Sequence, residues 1–378
     1  MPMRTTASYD LFPDARSERA LARARWLARE GRMKDAQAAY DELLSTNPEL
    51  KACWAEYFEL LRTSGKPVDA LQLADRARAT FGDTGFSLTL RGAALTELGR
   101  YPEALAELER AVEADPNFGL VWHELGYAAY KLGDRTRALL ALDRAFALEP
   151  HTDTLKLRGQ ILREAGRYQA AEVAFEGAAQ AAEHDEQRGD AEREIVTTRR
   201  YSGFTPRRPE DLNPAERWFA DTGSVVLAST PGPVAPSDET LVATFAEVAQ
   251  RSGWSFGQVI LLGPEFPACN YLAEWLGAPL VTPAAFDPAV CPLVVGLRPL
   301  SGDRTWNGIV SKLASQSIGL VFALEHPGEA SPPLVATDVI GVLSDAGQRL
   351  ERAPNPAQAV ADAQHPGARL AGRRLRPS

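Results

Sequence analysis

Few side chains in this 378-residue sequence combine the type and the setting for covalent chemistry, and all lie in its second half. Cys269 sits at the head of the helical stretch ACNYLAEWLG, where the helix dipole would lower a thiol pKa. With His326 as base and Glu265 beside it, such a thiol would be a nucleophile. No family spacing joins the three, and a small apolar Cys under a helix with a His at a strand end accounts for them as well. GWSFG, residues 253–257, fits G-x-S-x-G in letters. That elbow requires a strand-to-helix turn, whereas Ser255 follows a helical stretch and precedes the strand-like run QVILL, so it reads as a Gly-rich turn. No P-loop, G-x-G-x-x-G, H-E-x-x-H or tight Cys/His cluster is present. The expectation is therefore no assigned catalytic residue, no cofactor and no metal.

The elements that would carry these residues are short β-rich runs: SVVLA from Ser224, QVILL from Gln258, CPLVVGL from Cys291, GLVFAL from Gly319 and DVIGVL from Asp338. Helical stretches alternate with them, one capped by Asn213 with Pro214 in its first turn and one capped by Ser237. Near-continuous apolar strands alternating with helices imply a parallel or mixed sheet covered by helices, an α/β layer domain. Ligands in such sheets sit at the carboxyl ends of the strands, here near Ser229, Thr230, Asn270, Arg298, Glu325 and His326.

The first half is different in kind. Of 27 prolines, seven precede residue 190 and twenty follow it, so the first half can be nearly all helical. Pro48, Pro116 and Pro150 fall at multiples of 34, and at the same period Gly31, Gly65, Gly99 and Gly133 align, as do Ala36, Ala70, Ala104 and Ala138. A fifth copy, slipped by one residue, supplies Gly166, Ala171 and Ala178. In the clearest copy Trp122, Leu125, Gly126, Ala138, Ala145 and Pro150 follow the order Trp, Leu-Gly, Ala, Ala, Pro. This resembles the tetratricopeptide repeat family over residues 17–185. The resemblance implies five helix pairs stacked into a solenoid whose first helices line a concave groove that binds peptides or proteins.

Carried onto this chain, the family's groove positions include Arg25, Glu59, Arg62, Phe86, His123, Tyr127, Lys156 and Arg163. An apolar, aromatic centre with basic residues toward the ends would suit a partner segment mixing acidic and apolar residues. The Lys/Asn set with which chaperone-binding members clamp a carboxylate is replaced here by Leu21, Arg25, Ala55 and Glu59, which argues against a chaperone co-factor.

Composition sets the frame for these readings. A net charge of −9 argues against nucleic acid as partner, and three scattered cysteines make no disulfide framework. No apolar stretch suits a membrane span, which points to a cytoplasmic protein. The expected organisation is a flexible N-terminus (1–16), a solenoid (17–185), a capping helix and linker (186–222), an α/β domain (223–350) and a disordered basic tail (351–378). The expected function is a protein-interaction scaffold with an α/β domain of unassigned activity. The alternative is a transferase- or hydrolase-like enzyme whose repeats recruit a protein substrate.

Overall fold

Helices follow one another in pairs at the amino-terminal end because the turn inside each pair carries a glycine that ends one helix and lets the chain reverse. The computed structural model describes residues 15–263, 265–287, 289–298, 304–328, 337–345 and 348–376. Its helices run α1 (Ala15–Arg29), α2 (Met33–Thr46), α3 (Lys51–Thr63), α4 (Pro67–Phe81), α5 (Gly85–Glu97), α6 (Tyr101–Ala114), α7 (Gly119–Leu132), α8 (Arg135–Leu148), α9 (Thr152–Glu164), α10 (Tyr168–Ala181), α11 (Asp185–Ser202) and α12 (Pro214–Thr222). Contacts divide the chain into two compact units, residues 1–161 with 180–183, and 162–179 with 184–378. The division thus falls inside α9 rather than at the expected residue 185.

In the first unit the repeated residue types do repeated work. Ala36, Ala70, Ala104 and Ala138 are each fully buried. A Cβ on Gly126 would stand 2.7 Å from Leu142 Cγ, and one on Gly92 would strike Leu108 in the same way, so α7–α8 and α5–α6 approach too closely for any side chain there. Gly133 is needed for a different reason: its φ of +91° is left-handed, and space beside it is open. Trp54 Nε1 donates to the Pro48 carbonyl at 2.7 Å, and Trp122 Nε1 donates to that of Pro116 at 2.9 Å. The Pro that closes one copy is thus tied to the Trp of the next.

The second unit is built on a sheet. After α12 come β1 (Val225–Val226), β2 (Thr230–Pro231), α13 (Asp238–Ser252), β3 (Gln258–Leu262), α14 (Ala268–Leu276), β4 (Leu280–Val281), β5 (Pro292–Gly296), α15 (Arg304–Gln316), β6 (Leu320–Pro327), β7 (Val339–Asp345), β8 (Gln348–Arg349), β9 (Arg352–Ala353) and α16 (Pro356–Gln364). The order β1-β7-β6-β5-β3-β4 is parallel throughout, β8 adds antiparallel to β7, and β2 pairs with β9 apart. The five apolar runs read from the sequence are β1, β3, β5, β6 and β7, and the short strands β2, β4, β8 and β9 carry too little pattern to be seen. One face packs on α13, α14 and α16 through Phe245, Leu272 and Ala359; the other packs on α15 through Trp306 and on α12 through Trp218. Asn213 caps α12, its side chain accepting from Ala215 N at 2.9 Å and Glu216 N at 3.1 Å, and Ser237 caps α13.

Two expected boundaries change. The segment 186–222, read as cap and linker, belongs to the sheet unit: buried Arg200 donates to the Ala220 and Asp221 carbonyls at 2.8 Å each. The expected disordered tail is ordered through residue 376. Ala359, Ala363, Ala368, Leu370 and Leu375 enter the main core, and Arg373 donates to the fully buried Asp338 at 2.6 Å. Gly319 N donates to Arg374 O at 3.1 Å and Ser255 N to Leu375 O at 2.9 Å, which lays the segment across the amino ends of the strands. Local basic composition hid this, because the charge of Arg373 is answered by an Asp distant in sequence.

Candidate functional site

The groove positions of the first unit lie on α1, α3, α5, α7 and α9, but their charges are already engaged. Arg25 pairs with Glu56 of α3. Arg62 donates from Nε to Glu59 Oε2 at 2.9 Å and lies 3.6 Å from Glu97 of α5. Phe86 packs edge-on against Phe81, centroids 5.6 Å apart, with the Lys51 ammonium 5.6 Å from its ring. Tyr127 carries Lys131 over its ring at 5.3 Å, and Gln160 donates to the Tyr130 hydroxyl at 3.0 Å. Lys156 is half-buried on α9. Arg163 belongs to the other unit, where it pairs with Glu194 and stacks over Phe175 and Tyr201. On α5, beyond Phe86, Thr89, Ala93 and Thr96 are buried.

Two residues that the groove stripe leaves out join this site. Glu97 and Glu124 stand with Glu59 around Arg62, a three-to-one excess of carboxylates over guanidinium among the described groups acting there. Burial opposes the charge on Arg62, but the bond from Glu59 and the fields of Glu124, Glu59 and Glu97 outweigh it and raise its pKa. Burial pushes the Glu124 carboxyl up to about 7, Arg62 pulling it down and Glu59 and Glu97 adding to the rise. The neighbouring His123, its Nδ1 3.0 Å from Thr154 Oγ1, is pushed down to about 4, chiefly by burial, and is neutral at pH 7. Glu124 falls one place off the family's groove positions, and no local pattern marks it.

At the carboxyl ends of the sheet the residues expected for a nucleophile are kept apart. Cys269 is buried in the core between the sheet and α13–α14, and burial, then the Glu265 charge, push its thiol up to about 11. The expected lowering by the helix dipole is overridden. The His326 ring lies tilted against Trp218 of α12, centroids 4.9 Å apart, on the opposite face, so Cys269 and His326 form no pair. Ser255 lies in the turn between α13 and β3.

What gathers at the strand ends instead is a charge chain. Glu325 pairs with Arg298 and with Arg349 at 3.2 Å, and Arg349 reaches Asp238 at the head of α13 at 2.5 Å. Glu325 arrives there through a slip in the strand alternation. Phe322 and Leu324 share the α13 core while Val321 packs with α15, so strict alternation would send Glu325 to the α15 side. On β7, Val339 and Val342 share one core and Ile340 and Leu343 the other, the same slip in register. Gly341 permits it, since a Cβ there would press on the Leu324 carbonyl and come 2.9 Å from Leu241 Cδ1.

Comparison with known proteins bears on the helical part. A TPR-repeat model matches residues 92–133, and a tetratricopeptide-repeat model matches residues 123–186. An Hsp70-Hsp90 organizing protein of Triticum aestivum is 39% identical over 66 residues, 18% of this chain and 11% of that protein. Cellulose synthase operon protein C of Escherichia coli K12 is 35% identical over 81 residues, 21% of this chain and 7% of that protein. The matches thus span about a tenth or less of those relatives. A thermophilic TPR protein of Thermus thermophilus is 19% identical, covering 48% of this chain and 99% of its own at a TM-score of 0.42. A tetratricopeptide repeat protein of Parabacteroides merdae is 18% identical, covering 47% and 70%, at a TM-score of 0.41. With Gly92, Gly126, Ala104 and Ala138 packed as that pattern requires, residues 92–186 are a tetratricopeptide-repeat segment.

Proposed function

We propose that the protein is a cytoplasmic interaction scaffold in which five helix pairs, α1 to α10, hold a protein segment against the face of their first helices. The observation that carries the reading is the repeat itself: helix pairs fixed by Gly126 against Leu142 and Trp122 on Pro116 build a binding scaffold rather than a closed core. Half-buried Phe86 and Tyr127 supply the apolar anchor points. The acidic half of the expected ligand is not retained, because Arg25 and Arg62 already hold Glu56, Glu59 and Glu97. Free cysteines at 53, 269 and 291 agree with a reducing compartment. The sheet unit has no assigned activity in this reading. The enzyme alternative finds no support in Cys269 and His326, which lie on opposite faces of the sheet.

A photo-crosslinking residue placed at Tyr127 of the whole chain, and in parallel at the exposed Leu140 of α8, tests the proposal. Adducts with a protein partner are expected from position 127 and not from 140. Adducts from 140 alone overturn it.

A further inference from the structure

We infer that the face formed by α3, α5 and α7 contains a subsite for a cationic side chain, and that the partner segment presents a lysine or arginine to it. The inference rests on the reading of that face as the binding surface and deepens it. Arg62 spends two hydrogen bonds on Glu59, from Nε at 2.9 Å and from Nη2 at 3.2 Å, and a further contact at 3.6 Å on Glu97. Glu124 is left over. Its side chain is 7% exposed, and among the described residues no hydrogen bond and no ion pair within 4.0 Å reaches its carboxylate. A carboxylate withdrawn from water without a partner is costly, and a partner that brings positive charge removes that cost. The charged groups that act on it are Arg62 and Glu59 of α3 and Glu97 of α5, while the adjoining His123 of α7 is neutral at pH 7.

The sum around Arg62 is two negative charges in excess when Glu124 is ionised. An acidic peptide would meet repulsion there, whereas an ammonium or guanidinium would complete the cluster. Glu59 and Glu97 are both already turned on Arg62, which leaves Glu124 as the acceptor for the incoming group. With its pKa near 7, Glu124 of the free protein holds a proton in part at neutral pH, and binding of the cation displaces that fraction. Tyr127, about one turn along α7 from Glu124, offers apolar contact to a residue flanking the cation.

Selection of a random displayed peptide library on the whole protein, repeated on Glu124→Gln, tests this. The variant keeps the shape and removes the ionisation, so it folds. Peptides selected on the native chain are expected to carry Lys or Arg at one fixed place, and those selected on Glu124→Gln are not. Acetylating that lysine should weaken binding about tenfold at about pH 8, with a smaller loss at lower pH and none in the variant. Absence of a fixed cation, an acidic preference, or a lysine preference that survives Glu124→Gln overturns the subsite. The parent reading is scored apart: Phe86→Ala with Tyr127→Ala should weaken native and acetylated peptides equally. Peptides that lose nothing there bind elsewhere, and the face itself is then the wrong surface.

Discussion

Single residues carry two consequences of burial. The Glu124 carboxyl, ordinarily near 4.5, is raised to about 7 in the folded chain by burial first and by Glu59 and Glu97. The folded state then holds a proton that the unfolded state gives up, so stability is full below the unfolded value and is lost as pH rises through about 7. The loss is at most about 3 kcal/mol. In urea titrations Glu124→Gln should therefore gain on the wild type between about pH 5 and pH 8, and an unchanged difference would refute the assignment. Cys269 follows the same logic, its protonated form favoured by burial. With its thiol raised to about 11, the native chain at neutral pH should resist iodoacetamide and take it up only on unfolding. Rapid labelling of Cys269 in the folded protein would contradict its burial.

Between elements, close approach and buried charge decide. Gly126→Ala sets a methyl group 2.7 Å from Leu142 Cγ and should cost about 1–3 kcal/mol. A second change, Leu142→Ala, should then cost less than it does alone, and a thermal double-mutant cycle measures the coupling. Additive losses would mean that α7 and α8 do not meet at Gly126. On the sheet, Asp338 is fully buried, and its Oδ2 accepts from Val321 N at 2.8 Å and from Arg373 at 2.6 Å. Arg373→Met removes the hydrogen-bonded cation and leaves Asp338 only the longer approach of Arg369 at 3.9 Å, and should lower stability by about 3 kcal/mol. Asp338→Asn in the same chain should return part of the loss in a circular-dichroism melt, and no recovery would show the bond to be incidental. The coupled slip of β6 and β7 at Leu324 and Gly341 belongs to this scale too, since it aims Glu325 at Arg349 and His326 at Trp218.

At the scale of the whole molecule, the sheet unit depends on a chain end and a connector that composition alone would discard. Deleting residues 365–376 removes Leu370 and Leu375 from the main sheet core and Arg373 from Asp338, so the shortened protein should bind a hydrophobic dye and melt earlier. An unchanged melt would return that segment to the status of a tail. Much of the architecture was legible without coordinates, because repeat spacing and strand runs are local signals. Gly126 and the alanines at the 34-residue period declared the helix pairs, and the five apolar runs declared the strands of a parallel or mixed sheet, which the structure shows to be parallel but for β8. Polar partnerships were not legible. Glu124 stands one place off the groove stripe, Cys269 and His326 share a strand-end position but not a face, and Arg373 meets an Asp 35 residues earlier in the chain. By itself the sequence determined the periodic part of this protein: which residues are apolar, how often they recur, and where the chain must turn. Only the tertiary structure decided which charges are left unanswered, because desolvation and pairing depend on neighbours that packing brings together from distant parts of the chain.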